Sequence, residues 1–522
     1  MRLLPKLLVL TMPLAILSSS LAAAPDASQD PLLVGWARCD LTPPKLPVFI
    51  DGLFNARLSE GVEDPLTATV LVLDNQKDHV VFASADMVTI PDSLRDSVRG
   101  KLQGRAEGLD PMKIVLHATH THSAPVARTP DSSTAQSSQR FSYREEDGFP
   151  VPAMTPAEYI DFAATRLADC IVAAWNARQP GSVAYGLDEA VVGRNRRWVD
   201  AEGRSTMYGL VKPEARERFR HSEGTEDHTV NVLATYDPKG VLTGLVVNLA
   251  CPSQQNETSW LLSADFWHET RLELAKRLGE GVFLLPQCGT AGDISPHHLL
   301  STGAHERMRQ LRGQSLREQI GERIADAVDR ILPVIASTAN PRPMLRHDVA
   351  VFDLPTAEIS SEEVKEASLQ ANKSFEKHRL ELQKLKDNPS AREDPRWYIS
   401  VTRAFNRAHW HGDVLRRHEA QQRGEGLTVP SEVHCIRVGE VAFASNPFEY
   451  YLDYGMQIQT RSPFLQTFLV QLAGPGTYVP SPRSVEGGGY GSMAASNPVG
   501  PEGGQILADR TLDALMRLHD AK

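Results

Sequence analysis

Apolar residues along the chain fall into short blocks whose period changes. Residues 34–40, 67–73 and 79–85 read as strands, the first two joined by a loop through Gly52 and Asn55. Ser93, Val98 and Leu102 lie on a predicted helix that leads into another apolar run, Ile114-Val115-Leu116. Thr155 stands at the N-cap of a predicted helix over 156–175, with Ala163, Leu167, Ile171 and Ala174 on one face. Residues 183–192 form a strand, and 229–236 with 241–250 form a hairpin across Asp237-Pro238-Lys239-Gly240. Asp265 caps a helix to Leu278, 282–285 is a buried strand, and 433–438 and 441–445 are strands. Alternating strands and helices predict an α/β fold, a mixed β-sheet core flanked by helices. No internal repeat or linker composition divides residues 25–522, so one large domain is expected.

Three segments depart from this pattern. Arg2 and Lys6, an apolar run to Leu17 and small residues to Ala24 predict a signal peptide over 1–24 and an exported protein, periplasmic or secreted. The run is too short to span a bilayer, so no transmembrane segment is expected. The polar insertion 128–154 suggests a lid. The charged stretch 362–422, broken at Asn388-Pro389 and Asp394-Pro395, reads as a solvated helical excursion.

Composition adds little beyond exclusions. A formal net charge of -10 over 522 residues argues against a nucleic-acid partner. Five cysteines, Cys39, Cys170, Cys251, Cys288 and Cys435, are too few and uneven for a disulfide framework.

Candidate chemistry collects at predicted strand ends. His117-Ala-Thr-His120-Thr-His122-Ser-Ala-Pro125 leaves the Ile114 strand, at the edge where open α/β sheets bind ligands. In extended backbone His120 and His122 would point the same way, as half of a metal site or as ordinary hydrogen-bonding residues. Ser295 in Gly292-Asp293-Ile294-Ser295-Pro296 fits a helix N-cap better than a nucleophile. Asn446-Pro447-Phe448-Glu449 fits a capped helix start over 450–458, and Glu449 fits a metal ligand equally well. Cys251 ends a hairpin strand as a small hydrophobe or a thiolate ligand. Arg196 could bind an oxyanion, His268 could turn to the same edge, and Tyr478 precedes the glycine-rich Gly487-Gly488-Gly489-Tyr490-Gly491.

The order His120-Thr-His122-Ser, Asn195-Arg196, Gly292-Asp-Ile-Ser295-Pro, Pro447-Phe-Glu449 and the late glycine-rich Tyr490 resembles the neutral/alkaline non-lysosomal ceramidase family, from about Val34 to Leu515. The resemblance implies an exported Zn2+-dependent hydrolase that cleaves the N-acyl amide of ceramide or a related lipid, giving sphingosine and a fatty acid. Such a lipid substrate would bring transient contact with a membrane surface. It implies His120, Cys251, Glu449 and Tyr490 as zinc ligands, and Ser295, His122, Tyr478 and Arg196 as catalytic residues. Cys251 stands where the family has histidine, with His268 and His117 as substitutes if it faces away. Ser123-Ala124-Pro125 replaces Ser-Gly-Pro, and the family's C-terminal immunoglobulin-like domain is expected to be absent. A different amide, ester or glycoside substrate, or a non-catalytic binding role, remains the alternative.

Overall fold

The computed structural model describes residues 30–128, 151–211 and 213–521. The predicted signal peptide and nearly all of the polar insertion lie outside the described residues.

Three units of the same topology follow one another. The first comprises Leu33–Asp40 (β1), Thr67–Asp74 (β2), His79–Ala85 (β3), Asp92–Leu102 (α1), Ile114–Ala118 (β4) and Pro156–Asn176 (α2). The second comprises Ser182–Glu189 (β5), Thr229–Tyr236 (β6), Leu242–Leu249 (β7), Phe266–Leu278 (α3), Phe283–Cys288 (β8), Thr302–Arg312 (α4) and Leu316–Ile335 (α5). The third begins with Leu345–Pro355 (β9), which is followed by the inserted helices Ser361–Asp387 (α6) and Tyr398–Gln422 (α7). It continues with Thr428–Val438 (β10), Val441–Ser445 (β11), Leu452–Arg461 (α8), Gln466–Val470 (β12) and Gly500–Asp520 (α9).

The sheets run β4-β3-β2-β1, with the short strand Gln179–Pro180 added beside β1, then β8-β7-β6-β5 and β12-β11-β10-β9. In each, three antiparallel strands are joined by a fourth that returns through a helix parallel to the third. The parallel registers pair Ser84 with His117, Val247 with Pro286, and Phe443 with Phe468. The repeat that the sequence does not show is thus present in the topology, because strand pairing constrains pattern rather than residue identity.

Each sheet is covered on both faces, which accounts for a strand such as β2 being buried along its whole length. The inner faces share one core: Trp36, Leu71 and Phe82 from the first sheet meet Leu233 and Leu285 from the second and Ile436, Phe443 and Phe468 from the third. Phe443 lies 4.4 Å from Phe468 and 4.8 Å from Phe82 between ring centroids. The outer faces pack on each unit's own helices. Thr155 takes the predicted N-cap position and forms a capping box with Glu158, and Asp265 accepts the Phe266 N–H at the start of α3.

Two predicted caps do not form. Ser295 pairs with Arg194 in a two-residue bridge, and no helix starts before Thr302. Asn446 accepts the Phe448 N–H, while Glu449–Tyr450 pairs with Tyr478–Val479 and the helix begins at Leu452. In both places pairing with a distant segment replaces the local cap.

Polar clamps cross the seams between units. Arg271 on α3 holds Asp86 at 2.9 and 3.2 Å. Gln466 donates to Asn231 at 2.8 Å, and Arg99 on α1 grips Glu432 on β10 at 2.7 and 2.9 Å. Burial alone would push the Glu432 carboxyl up, but the hydrogen bonds from His434 and Arg99 win and hold it well below the usual range. A depressed folded pKa adds stability above the unfolded carboxylate range and loses it as pH falls. Glu432→Gln is therefore expected to lower unfolding stability near neutrality by about 3 kcal/mol. In urea titrations the gap from wild type should narrow in strong acid; a pH-independent difference would contradict this account.

Candidate active site

The strand ends of the three units meet at one edge of the shared core. His120 follows β4 in a left-handed conformation with φ of 67°, so the extended alternation expected of His120 and His122 is broken. The imidazoles face each other instead, Nε2 to Nε2 at 3.2 Å. His120 Nδ1–H donates to the Val88 carbonyl at 2.7 Å, which leaves its Nε2 lone pair turned inward. Gly52, at φ of 101°, backs the second ring: a Cβ there would lie 2.6 Å from His122 Cγ.

Glu449 follows β11, and its Oε2 lies 3.5 Å from His120 Nε2. The short pairing of Glu449 with Tyr478 brings the Tyr478 hydroxyl onto the carboxylate as a hydrogen-bond donor. Arg196, from the insertion after β5, donates to the Tyr208 hydroxyl at 2.7 Å, the Gly292 carbonyl at 2.8 Å and the Tyr478 hydroxyl at 3.3 Å. Its guanidinium stands 3.7 Å from Glu449. The Gly292 turn can pass here only without a side chain, since a Cβ would meet the Glu449 carbonyl at 2.4 Å. Ser295, after β8, is fully buried, hydrogen-bonds Tyr208 and accepts the His297 N–H at 3.2 Å.

The charges are arranged as one buried cluster. Burial raises the Glu449 carboxyl, but His120 and Arg196 outweigh it and hold it ionised. Burial works against the Arg196 charge, and Tyr208, Tyr478 and Glu449 more than restore it. His122 is pushed well below its ordinary value by burial first and then by its neighbours His120, Arg57 and Arg196, so its imidazole is neutral. Burial and the Glu449 charge keep Tyr478 a phenol.

His120, His122, Glu449, Arg196, Ser295 and Tyr478 therefore converge. Tyr490 sits further out, 38% exposed, with its ring 5.5 Å from Tyr478, edge-on to Phe54 and tilted against Trp410. The Tyr478 hydroxyl reaches Glu449. Cys251 packs on the outer face of the second sheet with Leu249, Phe266 and Trp267, its thiol donating to the Pro252 carbonyl at 3.5 Å. Burial, then Cys288 and Asp265, pushes that thiol well above its ordinary pKa. His268 turns toward Asp64 at 4.0 Å, and His117 is enclosed within β4, driven neutral by burial to a pKa of about 3. Among the described residues no three or more His, Cys, Asp or Glu side chains form a closed metal cage. Both short distances radiate from His120.

Sequence reasoning passed over Tyr208, Gln254, His297 and Glu257. Gln254 donates to the Tyr208 hydroxyl. Glu257 places one oxygen 3.5 Å from His122 Nδ1 and the other 3.4 Å from His297 Nε2. The polar run Gln254-Gln255-Asn256-Glu257 directly after the Cys251 strand end was the available signal.

Three sheets thus pack around one core, and a histidine, a carboxylate and a phenol meet at their strand ends. A crystal structure of neutral ceramidase from Pseudomonas aeruginosa superposes with a TM-score of 0.65 at 15% identity, over 94% of this chain and 75% of that one. A second, a ceramidase complexed with C2, gives 0.63 at 13% identity with the same coverage. No family sequence model and no curated protein sequence matches the chain. The likeness establishes the fold.

The packing of Cys251 has a direct chemical consequence. With Cys39 replaced by serine, the four remaining buried cysteines of the folded protein should resist a thiol reagent, and all four should react after unfolding. Fast reaction of Cys251 in the folded state, located by peptide mapping, would show that its thiol opens to the site.

Proposed function

We propose that the chain is an exported, zinc-dependent hydrolase of a linear amide, cleaving the N-acyl bond of ceramide or a related lipid to a sphingosine-type base and a fatty acid. The carrying observation is the meeting of His120, Glu449 and Tyr478 at the strand ends of a neutral-ceramidase fold. A lipid substrate would be taken from a membrane surface; among the described residues no helix is long and apolar enough to cross a membrane.

The donors suit zinc. His120 is anchored through Nδ1, and the 3.5 Å between its Nε2 and Glu449 is close to the roughly 3.3–3.4 Å edge of a tetrahedron with Zn–N and Zn–O bonds of about 2.0–2.1 Å. His120, Glu449 and Tyr478 would hold the ion, with Tyr478 in the place first given to Tyr490. Cys251 would not take part, because its thiol faces the helix-covered side and is held protonated. When bound, zinc supplies Lewis-acid polarisation of the acyl carbonyl and acidifies water.

The remaining side chains divide the other work. Arg196, cationic and fixed by three hydrogen bonds, faces the developing oxyanion. His122, a buried neutral imidazole, carries the proton from the attacking water to the departing amine nitrogen. Ser295 accepts from His297 and is bonded to Tyr208, and among the described residues no imidazole or carboxylate bonds its hydroxyl. It orients the amide rather than attacking it.

Elemental analysis and ceramide turnover test the reading together. Wild type should carry zinc, while His120→Ala and Glu449→Gln should lose it along with activity. Arg196→Met should keep zinc and lose roughly 10²–10³-fold in kcat, and Cys251→Val should keep both. Wild type without zinc, or full ceramide turnover in Glu449→Gln, would overturn the proposal.

A further inference from the structure

Helix α2 crosses the outer face of the first sheet antiparallel to β1, and three contacts fix their register. The Tyr159 hydroxyl donates to the Leu41 carbonyl at 3.0 Å, and Arg166 Nε donates to the Asp40 carbonyl at 3.2 Å. At the other end, a Cβ on Gly35 would lie 2.1 Å from the Ala174 carbonyl oxygen. Cys170 stands one helical turn beyond Arg166 and one turn before Ala174, on the same face of α2. On the strand, Gly35, Ala37 and Cys39 alternate onto the side that α2 covers, and Ala37 and Cys39 pack against the core cluster that contains Cys170. The two cysteines therefore face each other across the seam, and the Cys170 thiol donates to the Cys39 sulfur.

Their surroundings divide the two steps of a thiol–disulfide exchange between them. Cys39 is half-buried, so a reagent reaches it, whereas Cys170 is only 4% exposed. The hydrogen bond from Cys170, with the Arg166 charge and the Ala68 N–H, outweighs burial and the Asp40 charge and holds the Cys39 thiol below its ordinary pKa. The same hydrogen bond, followed by burial, raises Cys170, so it stays a thiol while Cys39 reacts. The other three cysteines lie in the second and third units, and burial raises each of their thiols.

We propose that Cys39 and Cys170 are a disulfide-forming pair, oxidised by an external disulfide to a bond that fastens α2 to β1. The Cys39 thiolate attacks one sulfur of the external disulfide, whose other sulfur leaves as a thiolate and takes up the Cys39 proton from solvent. Cys170 then gives up its proton and attacks the Cys39 sulfur; the Cys39–Cys170 bond forms, and the second thiolate leaves and is protonated. Two electrons pass from the pair to the external disulfide, which ends as two thiols. The bond closes residues 39–170, which hold β2, β3, α1, β4 and the segment with His120 and His122, into one loop. The capacity to form it rests on the pair alone. Oxidation in the cell rests on the export proposed above, because exported proteins meet an oxidising compartment.

The test equilibrates the reduced full chain with oxidised glutathione, unfolds it in N-ethylmaleimide and measures its mass. The reduced protein takes one label on each of its five cysteines, and the oxidised protein should take two fewer. A tryptic map without reductant should join peptides 39–45 and 167–178. A full set of labels, a glutathione adduct that persists on Cys39, or a bond between other cysteines overturns the proposal. Oxidation should also lower the unfolding equilibrium constant in urea by about 10²-fold. That gain should vanish in Cys39→Ser and in Cys170→Ala; each is compared with its own reduced state, and either folded variant suffices. A bond that forms without any gain overturns the fastening role. A second arm alkylates the protein as cells are opened. The bond in chains made with residues 1–24, and its absence in chains made without them, supports oxidation after export. Reduced protein from both, beside ready oxidation by glutathione, overturns the export reading and leaves the chemistry of the pair in place.

Discussion

The contact on which the rest of the molecule depends is the meeting of three sheets across Phe82, Phe443 and Phe468. Each sheet must bury its inner face against the other two, and that requirement fixes the direction in which every third and fourth strand ends. Because the same strand order recurs three times, equivalent ends arrive together: Val88 and His120 from the first unit, Ser295 from the second, Glu449 and Tyr478 from the third. The insertions between the first and second strands of each unit then wall the site, bringing Gly52 against His122, Arg196 and Tyr208 against Ser295, and Trp410 against Tyr490.

Such convergence has an electrostatic cost, since cations and a carboxylate are placed where water is scarce. The structure offsets it by pairing rather than by exposure. Arg196 spends its donors on two phenols and a carbonyl while lying near Glu449, and Glu449 in turn keeps its charge through His120 and Arg196. The same principle operates at the seams, where Asp86 with Arg271 and Glu432 with Arg99 join neighbouring units. Cys251 lies on the other side of this divide. It continues the outward row of Leu245, Val247 and Leu249 under α3, in apolar surroundings that favour a thiol over a thiolate.

Much was legible in the chain itself. Local pattern located β3, β6 and β11 to the residue, the Thr155 N-cap of α2, and the charged helices α6 and α7, because strand periodicity and cap chemistry act over a few residues. The order of motifs pointed to the fold, and to His120, Glu449, Arg196 and Ser295 as a group. Tertiary structure alone decided what depends on non-local pairing. The threefold recurrence of the sheets leaves no residue-level repeat, and Ser295 and Asn446 look like helix caps until their neighbours pair with Arg194 and Tyr478. That Tyr478 reaches Glu449, that Cys251 packs into the core, and that Glu257 links His122 to His297 are all set by packing between segments tens to hundreds of residues apart. Spacing along a chain carries no such information, because the direction of a side chain beyond its strand end is fixed by the surfaces that close around it.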